Sequence, residues 1–238
     1  MTFHDMSLVE RLLIARRGTS YFAQRLSELT DSELDGETLL AGWTRRHLVA
    51  HVGYNAAALC RLMDWASSGV ETPMYESPQQ RGREIDEGAT LSAAALRNLF
   101  DHTVARLDEK WRTASESAWA AEVRTAQGRT VPASETIWMR TREVWIHAVD
   151  LGNGGRFADF PEVVKEGLLS DIVGMWRKKS EGSGLVLAVD GREPVAVTDD
   201  ATTTTVSGGL EAVTRWAAGR GSIGSTVDGA IDEPPRWL

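Results

Sequence analysis

Apolar residues recur at helical spacing over four long stretches in the first 150 residues of the chain. These stretches cover residues 8–29, 44–67, 96–111 and 133–151. Within each stretch, residues three and four positions apart share one face of a helix, and that apolar face has to be covered by other elements. The pattern therefore predicts a bundle of four long helices.

Local signals mark several ends of these helices. Residues 7–10 have the Ser-x-x-Glu spacing of a capping box. Thr44 is a suitable N-cap for the second helix, and Gly69 is a suitable stop. The polar segment 70–90 is predicted to pass over the bundle and to hold a short helix that opens with a Ser-Pro pair. Residues 120–132 show a weak hairpin pattern.

The pattern changes after residues 152–157, where three glycines and an asparagine follow the end of a helix. Beyond this point we expect a helix from Pro161, strands at 184–190, 194–198 and 202–206, and a short helix at 209–218. The chain is therefore predicted to be an α+β protein. Residues 1–153 would form the four-helix bundle, and residues 154–238 would form a smaller C-terminal α/β domain.

The charge balance limits the partners of the chain. It has 26 Lys and Arg against 34 Asp and Glu, a net charge of −8, whereas nucleic acids and anionic membranes attract basic surfaces. No apolar run approaches the roughly 20 residues that cross a bilayer. The single cysteine, Cys60, excludes an internal disulfide and fits a reducing compartment. We therefore expect a cytoplasmic protein that binds neither nucleic acid nor membrane, and a monomer is the simplest expectation for its oligomeric state.

Several common motifs can be set aside. Gly219, Gly221 and Gly224 match the dinucleotide pattern G-x-G-x-x-G, but a helix precedes them and no helix can follow in the short remainder, so the βαβ context is missing. The chain has no phosphate-binding G-x-x-x-x-G-K-[ST], no G-x-S-x-G and no H-E-x-x-H motif. Cys60 has no histidine within a helical turn and is predicted to be a buried structural thiol.

The fourth predicted helix carries a pair of residues suited to a metal. Glu143 and His147 are four residues apart and therefore lie on one face of the helix. A carboxylate oxygen and an imidazole nitrogen can both bind a divalent cation, but two ligands hold a metal poorly, so a third has to come from another element.

The second predicted helix offers two histidines for this role, His47 and His51. His51 lies on the apolar stripe with Leu48, and Asn55 lies one turn further on the same face. His47 is expected to be solvated near the start of the helix. The proposed site is therefore His51, Glu143 and His147, with Asn55 as a further polar group of the same interior patch.

Simpler explanations exist for each residue. A Glu-His pair at this spacing is often a surface ion pair, and a histidine on a mixed stripe is often a hydrogen-bonded core residue. If the three side chains do converge, two histidines and a glutamate leave a coordination position open, as in catalytic zinc sites. The same ligands also suit Mn, Fe, Co or Ni.

Four segments of the chain resemble one known family, the mycothiol-dependent maleylpyruvate isomerases. They are GWTRRHLVAH (42–51), ASETIWMRTREVWIHAVDL (133–151), AAGRG (217–221) and the closing EPPRWL. That family joins an N-terminal DinB-like four-helix bundle, a metal-binding fold, to a smaller C-terminal α/β domain. The resemblance spans essentially the whole chain.

The resemblance implies a ligand set and a reaction. His51, Glu143 and His147 match the metal ligands of the family, and Arg220 matches an arginine that the family uses for activity. The implied cofactors are Zn²⁺ and mycothiol, a low-molecular-weight thiol. The implied reaction, in gentisate degradation, is the cis–trans isomerisation of 3-maleylpyruvate, a small dicarboxylate, to 3-fumarylpyruvate.

A physical route for this reaction is a hypothesis. Coordination to zinc deprotonates a thiol. The thiolate can add to the substrate double bond, the resulting single bond can rotate, and elimination restores the double bond as trans. Arg220 would pair with a substrate carboxylate and favour the enolate formed on addition. Alternatively, Arg220 only complements the dipole of the preceding helix.

Other functions are compatible with the same ligands. A zinc-dependent mycothiol S-transferase would leave the thiol attached to its target, and a hydrolase would place water on the metal. A non-enzymatic metal-binding interaction protein is a third alternative. The sequence does not identify the residues that bind the thiol, although polar positions in segment 70–90 are candidates for holding the sugar part of mycothiol.

Overall fold

A computed structural model describes residues 2–237 of the chain, which form two compact units. One unit runs from Ser7 to Gly155, and the other joins the N-terminal segment up to Met6 with the chain from Arg156 onwards. The helices are α1 (Leu8–Ser27), α2 (Arg45–Ser68), α3 (Pro78–Ala89), α4 (Ala93–Thr113), α5 (Glu116–Ala120), α6 (Glu135–Asp150), α7 (Glu162–Lys179) and α8 (Leu210–Ala217). The strands are β1 (Glu122–Arg124), β2 (Thr130–Pro132), β3 (Leu185–Val189), β4 (Val195–Ala196), β5 (Thr204–Gly208) and β6 (Ser225–Gly229).

The predicted four-helix bundle is confirmed in the first unit. Helices α1, α2, α4 and α6 are its long members, and α2 packs against both α4 and α6, while α1 packs against α6. The predicted capping box at the start of α1 is present, because Ser7 Oγ accepts from the backbone N–H of Glu10 at 3.3 Å and the Glu10 carboxylate accepts from the N–H of Ser7 at 2.8 Å. Gly69 ends α2 with a φ of 73°, a left-handed conformation that favours glycine.

Helices α1 and α6 approach closely at a single glycine. A Cβ at Gly18 would lie 2.5 Å from Nε1 of Trp145 and 2.7 Å from Cγ2 of Val144. Both of these α6 side chains are buried and cannot move aside. Gly18 therefore lets α1 support one face of α6, and Glu143 and His147 lie elsewhere on the same helix.

The segment between α2 and α4 forms a helix that packs on α2 rather than an irregular surface loop. It contains the helix predicted to open with a Ser-Pro pair, and Ser77 Oγ caps it by accepting from the N–H of Gln80 at 3.1 Å. Helix α3 packs on α2 at Gly88, where a Cβ would lie 2.8 Å from side-chain atoms of both Ala50 and Tyr54. The short helix α5 was not predicted, since five residues are too few to show a helical period. The weak hairpin pattern corresponds to the β1–β2 pair.

Within the second unit, a four-stranded sheet has the order β4-β3-β5-β6. Strands β3 and β5 are parallel, and the two outer strands run antiparallel to their neighbours. Strand β6 was missed by the sequence analysis because its residues are mostly small or polar and only half-buried or exposed. Residues 219–224 form the turn between α8 and β6 rather than a nucleotide-binding loop.

Two buried tryptophans organise the core of the second unit. The rings of Trp176 on α7 and Trp216 on α8 meet edge to face at 6.4 Å. Their indole N–H groups donate to backbone carbonyls near the end of the chain, at Pro235 (2.8 Å) and Asp232 (3.2 Å). Residues 232–235 are therefore tied to the core of this unit.

No helix between residues 2 and 237 combines the length and the apolar character needed to cross a membrane. Cys60 lies buried in α2, and burial raises the pKa of its thiol to about 11. A thiol in this environment stays protonated at neutral pH and is a poor nucleophile, in agreement with the predicted structural role.

Candidate metal centre

Helices α2 and α6 bring the three predicted ligands together. His51 projects from α2, and Glu143 and His147 project from successive turns of α6. Glu143 Oε2 lies 2.9 Å from Nε2 of His51 and 3.1 Å from Nε2 of His147. One donor atom from each of the three residues falls within 4.8 Å of the others. The three side chains thus point at a common position.

A buried arginine joins the two helices below this position. Arg140, one turn before Glu143 on α6, donates from Nη1 to the carbonyl of Val52 at 2.7 Å and to Oδ1 of Asn55 at 2.9 Å. Burial lowers the pKa of Arg140 to about 10, so its guanidinium is charged at neutral pH. Asn55 is buried, as the sequence analysis expected, but its oxygen serves Arg140 and not the metal position.

A carboxylate behind His147 fixes the orientation of its ring. Asp150 is fully buried, and its Oδ2 lies 2.8 Å from Nδ1 of His147. This leaves Nε2 directed towards Glu143. A ligand histidine that donates its other ring N–H to a carboxylate is typical of metal sites, because the carboxylate sets the tautomer and raises the basicity of the imidazole.

The environment gives the three side chains different protonation states. Burial lowers the pKa of His51, more strongly than Glu143 raises it, so this ring is neutral. Burial also opposes ionisation of Glu143, but its interactions with His51 and His147, hydrogen bonds to both among them, hold its pKa well below the usual range. For His147 burial works against the charged form, yet hydrogen bonds to Asp150 and Glu143 raise its pKa to about 9. The three side chains are therefore a neutral imidazole, a carboxylate and an imidazolium.

The other histidines of the chain are outside this cluster. His47 belongs to the cap of α2, where its Nδ1 lies 2.8 Å from Oγ1 of Thr44 and 3.3 Å from the Thr44 N–H. Trp43 stacks on His47 and places the edge of its ring against His51, with ring centroids 5.3 Å apart. Trp43 therefore forms an apolar wall beside a ligand. Two further histidines are exposed on the surface: His4 and His102.

The donor set fits a divalent cation. Two imidazole nitrogens and one carboxylate oxygen are the ligands of catalytic zinc sites, which keep a further position for water or substrate. The two histidine side chains are 6% and 12% exposed, whereas Glu143 is 25% exposed. The cluster is thus reached from the Glu143 side, where an exogenous ligand could enter.

Sequence reasoning missed three polar residues around the ligands. Asp150 lies three positions after His147, so the same helical spacing that selected the ligands could have found it. Arg140 could not be assigned in this way, because a lone arginine in a helix is usually exposed. Arg81 on α3 lies 3.3 Å from Nδ1 of His51, and no sequence pattern connects it with α2.

Arg220 lies in the second unit, whereas the three ligands lie in the first. It follows the end of α8, where its backbone N–H donates to the carbonyl of Arg215 at 3.1 Å. Its guanidinium donates to the carbonyl of Ala218. Both bonds lie at the C-terminal end of α8, where a cation also complements the helix dipole.

A match to a protein-family model identifies the family of the chain. The mycothiol maleylpyruvate isomerase N-terminal domain matches residues 15–152, which include all three ligands. The chain belongs to the mycothiol maleylpyruvate isomerase family. The model of the C-terminal domain of the same family, abbreviated MDMPI, matches residues 159–236. Both domains of the family are therefore present.

Solved structures similar to the chain support its membership in the mycothiol maleylpyruvate isomerase family. A crystal structure of the mycothiol-dependent maleylpyruvate isomerase is 54% identical in sequence, with a TM-score of 0.97 and coverage of 100% of both chains. A crystal structure of a histidine-to-alanine mutant of that isomerase is 53% identical, with the same TM-score of 0.97 and again 100% coverage of both chains. A search of curated proteins returned no match.

Proposed function

We propose that the chain catalyses the mycothiol-dependent cis–trans isomerisation of 3-maleylpyruvate to 3-fumarylpyruvate, a step of gentisate degradation. The observation that carries this proposal is the full-length likeness to a mycothiol-dependent maleylpyruvate isomerase at 54% identity. The convergence of His51, Glu143 and His147 adds independent support, since a thiol-dependent reaction needs a means of ionising the thiol.

His51, Glu143 and His147 would hold one Zn²⁺, which would supply the means of ionising the thiol of mycothiol. When bound, the cation lowers the pKa of a coordinated thiol, whose sulfur can then add reversibly to the carbon–carbon double bond of the substrate and permit its rotation.

The residues of the chain position the donors and control their charge. Asp150 keeps the His147 ring in the orientation that presents Nε2 to the common position. Arg140 holds α6 to α2 and contributes a buried positive charge beside Glu143. Trp43 shields one side of His51 from water. These contacts hold the side chains of the ligands in position, which reduces the side-chain movement that ligand binding requires.

Arg220 is proposed to pair with a carboxylate of the substrate. A guanidinium can bind a carboxylate through two parallel hydrogen bonds, and its charge favours an enolate. The match of AAGRG with the family supports this role. Its hydrogen bond from Nη1 to the Ala218 carbonyl would compete with substrate binding.

The proposed function is tested by metal content and isomerase activity together. Purified wild-type protein is expected to contain about one zinc per chain and to convert 3-maleylpyruvate to 3-fumarylpyruvate only when mycothiol is added. His51→Ala should lose both the metal and the activity, because two protein ligands hold zinc poorly. His102→Ala, which changes an exposed histidine of α4, is the matched control and should retain both.

Each alternative function has its own outcome in this experiment. Protein without stoichiometric metal, purified without chelator, would contradict the proposal. A product that retains the thiol would indicate an S-transferase, and activity independent of any thiol would indicate a hydrolase or another metal-dependent reaction.

A further inference from the structure

An arginine occupies a place beside His51 where metal sites normally have a hydrogen-bond acceptor. Nη2 of Arg81 lies 3.3 Å from Nδ1 of His51. The other ligand histidine, His147, shows the usual arrangement, with Asp150 at its Nδ1. The two ligand histidines thus face opposite charges on their outer sides.

This contact fixes the tautomer of His51 in the metal-free protein. A guanidinium has only donors, so Nδ1 of His51 has to accept, and the ring proton is then on Nε2. That proton is shared with Glu143 Oε2 at 2.9 Å. The arrangement satisfies every polar atom of the ring, but it places a proton on the nitrogen that faces the metal position.

Metal binding reverses this arrangement. Coordination through Nε2 of His51 needs its lone pair, so the ring proton has to lie on Nδ1. Two donors, Nδ1–H and the Arg81 guanidinium, then face each other and cannot form a hydrogen bond. Arg81 therefore loses its partner when the site is filled.

The side chain of Arg81 is half-buried, and within residues 2–237 its hydrogen bond to His51 is the one side-chain bond it forms. One turn further on α3, Oε1 of Glu84 accepts from Gln80 at 3.2 Å, whereas Oε2 of Glu84 is buried without a hydrogen-bond partner. A carboxylate that binds Arg81 therefore has to compete with Glu84 for the guanidinium. A half-buried, charged group beside a metal position is costly to leave unpaired.

The segment before α3 holds Arg81 in this position. Arg61 on α2 donates from Nε to the carbonyl of Met74 at 2.7 Å, and its guanidinium lies 5.5 Å from the centre of the Tyr75 ring. Burial raises the pKa of Tyr75 to about 12, so this neighbour of Arg81 is a neutral phenol and does not compensate its charge. The N-terminal end of α3 is thus anchored to α2 with Arg81 next to the ligands.

We propose that Arg81 binds a carboxylate of the dicarboxylate substrate beside the metal position of the helical unit. The identity of the anion rests on the proposed isomerase function, whereas the binding of a carboxylate by Arg81 does not. The guanidinium that metal binding releases from His51 pairs with the carboxylate through charge-assisted hydrogen bonds. Arg81 thereby strengthens the binding of substrates that carry a carboxylate. It does so only in the protein that holds the metal, where its bond to His51 is lost.

Calorimetric titration of zinc-loaded protein with maleate tests this proposal without turnover. Maleate is a cis dicarboxylate, and no turnover occurs in a titration without mycothiol because no thiol is present to add to its double bond. Arg81→Gln is expected to weaken maleate binding about tenfold to a hundredfold, since a charge-assisted hydrogen bond is lost. Arg81→Lys should bind with intermediate affinity, because it keeps the charge but not the planar pair of donors. Arg83→Gln, an exposed arginine on the same helix, is the matched control and should bind maleate like the wild type.

Two further measurements separate this role from a structural one. Zinc affinity, measured by competition with a chelator, should be unchanged or higher in Arg81→Gln, since a cation next to His51 is removed. With 3-maleylpyruvate, the KM should rise about tenfold or more, with a smaller change in kcat.

Maleate binding by Arg81→Gln equal to that of the wild type would overturn the proposal, and so would loss of zinc from this variant or absence of maleate binding by the zinc-loaded wild type. If the wild type binds maleate through Arg81 but shows no isomerase activity, the proposed function fails while the carboxylate-binding role stands.

Discussion

At the scale of single residues, the centre is defined by which atoms carry protons. In the metal-free state Glu143 accepts from both histidines, His147 carries a second proton that it shares with Asp150, and His51 is neutral. This network stabilises the same side-chain positions that a cation requires. A metal bound at these donors would displace the proton on Nε2 of His147, and the proton on Nε2 of His51 would have to move to Nδ1.

Metal binding should accordingly release a proton. The pKa of His147 is raised to about 9 by its hydrogen bonds to Asp150 and Glu143, against the opposing effect of burial, so the ring is protonated at pH 7. A ligand imidazole has to be neutral, and Glu143 is already ionised, which leaves His147 as the source of about one proton per zinc bound. Because protons compete with the metal, zinc affinity should fall as the pH is lowered from about 9.

Calorimetry of zinc binding in two buffers with different ionisation enthalpies measures the number of protons released. About one proton near pH 7, declining towards pH 9, is the expected result. Zinc binding without proton release at pH 7 would show that His147 is neutral before the metal binds.

At the scale of helices, the ligands depend on the contact between α1 and α6. Gly18 allows this contact, and the buried side chains of Trp145 and Val144 fill the space where its Cβ would lie. Residues on opposite faces of α6 thus have separate tasks: one face packs on α1, and the other presents Glu143 and His147.

Gly18→Ala is expected to destabilise the protein. Alanine favours a helix over glycine by about 1 kcal/mol, but forced overpacking of a buried contact costs about 1–3 kcal/mol, and a Cβ at this position would lie 2.5 Å from Trp145 Nε1. We expect a net loss of about 1 kcal/mol in the free energy of unfolding, measured by denaturant titration of the metal-free protein.

Gly82→Ala on α3 is the matched control for this substitution. Nothing lies within 4 Å of a Cβ at Gly82, so only the gain in helix propensity applies and the free energy of unfolding should rise. Equal stabilisation by both alanines would mean that α1 and α6 are not closely packed at Gly18.

The elements of the fold were predictable from the sequence to different degrees. The period of α2 and α6 is clear over more than four turns. The apolar stripe of α2 predicted an interior position for His51, and the spacing of four residues on α6 predicted that Glu143 and His147 share a face. Strand β6 has no apolar alternation of its own and exists because it pairs with β5. The position of Arg81 follows from the packing of α3 on α2 through Gly88, a tertiary contact that spacing along the chain cannot reveal.

At the scale of the whole molecule, the two units carry different parts of the proposed activity. All three metal ligands belong to the helical unit, and Arg220 belongs to the unit that contains the sheet. Metal binding and catalysis should therefore be separable by mutation. A change at Arg220 is expected to leave the zinc content unaltered, because no ligand of the metal is changed.

Arg220→Ala and Arg220→Lys should each lower isomerase activity by at least about tenfold, since neither alanine nor lysine can form the paired hydrogen bonds of a guanidinium with a carboxylate. A role limited to the C-terminus of α8 has a different signature. The alanine variant would then lose stability, as it no longer bonds the Ala218 carbonyl, while the lysine variant would keep nearly full activity because it retains the charge.

Activity, zinc content and the free energy of unfolding, measured together on these variants, decide between the two roles. Lys178→Ala, which removes an exposed cation of α7 in the same unit, is the control for charge alone and should behave like the wild type. Near-wild-type activity in both Arg220 variants would remove this residue from the catalytic mechanism. Activity lost in both, with zinc and stability retained, would place it with the groups that act on the substrate.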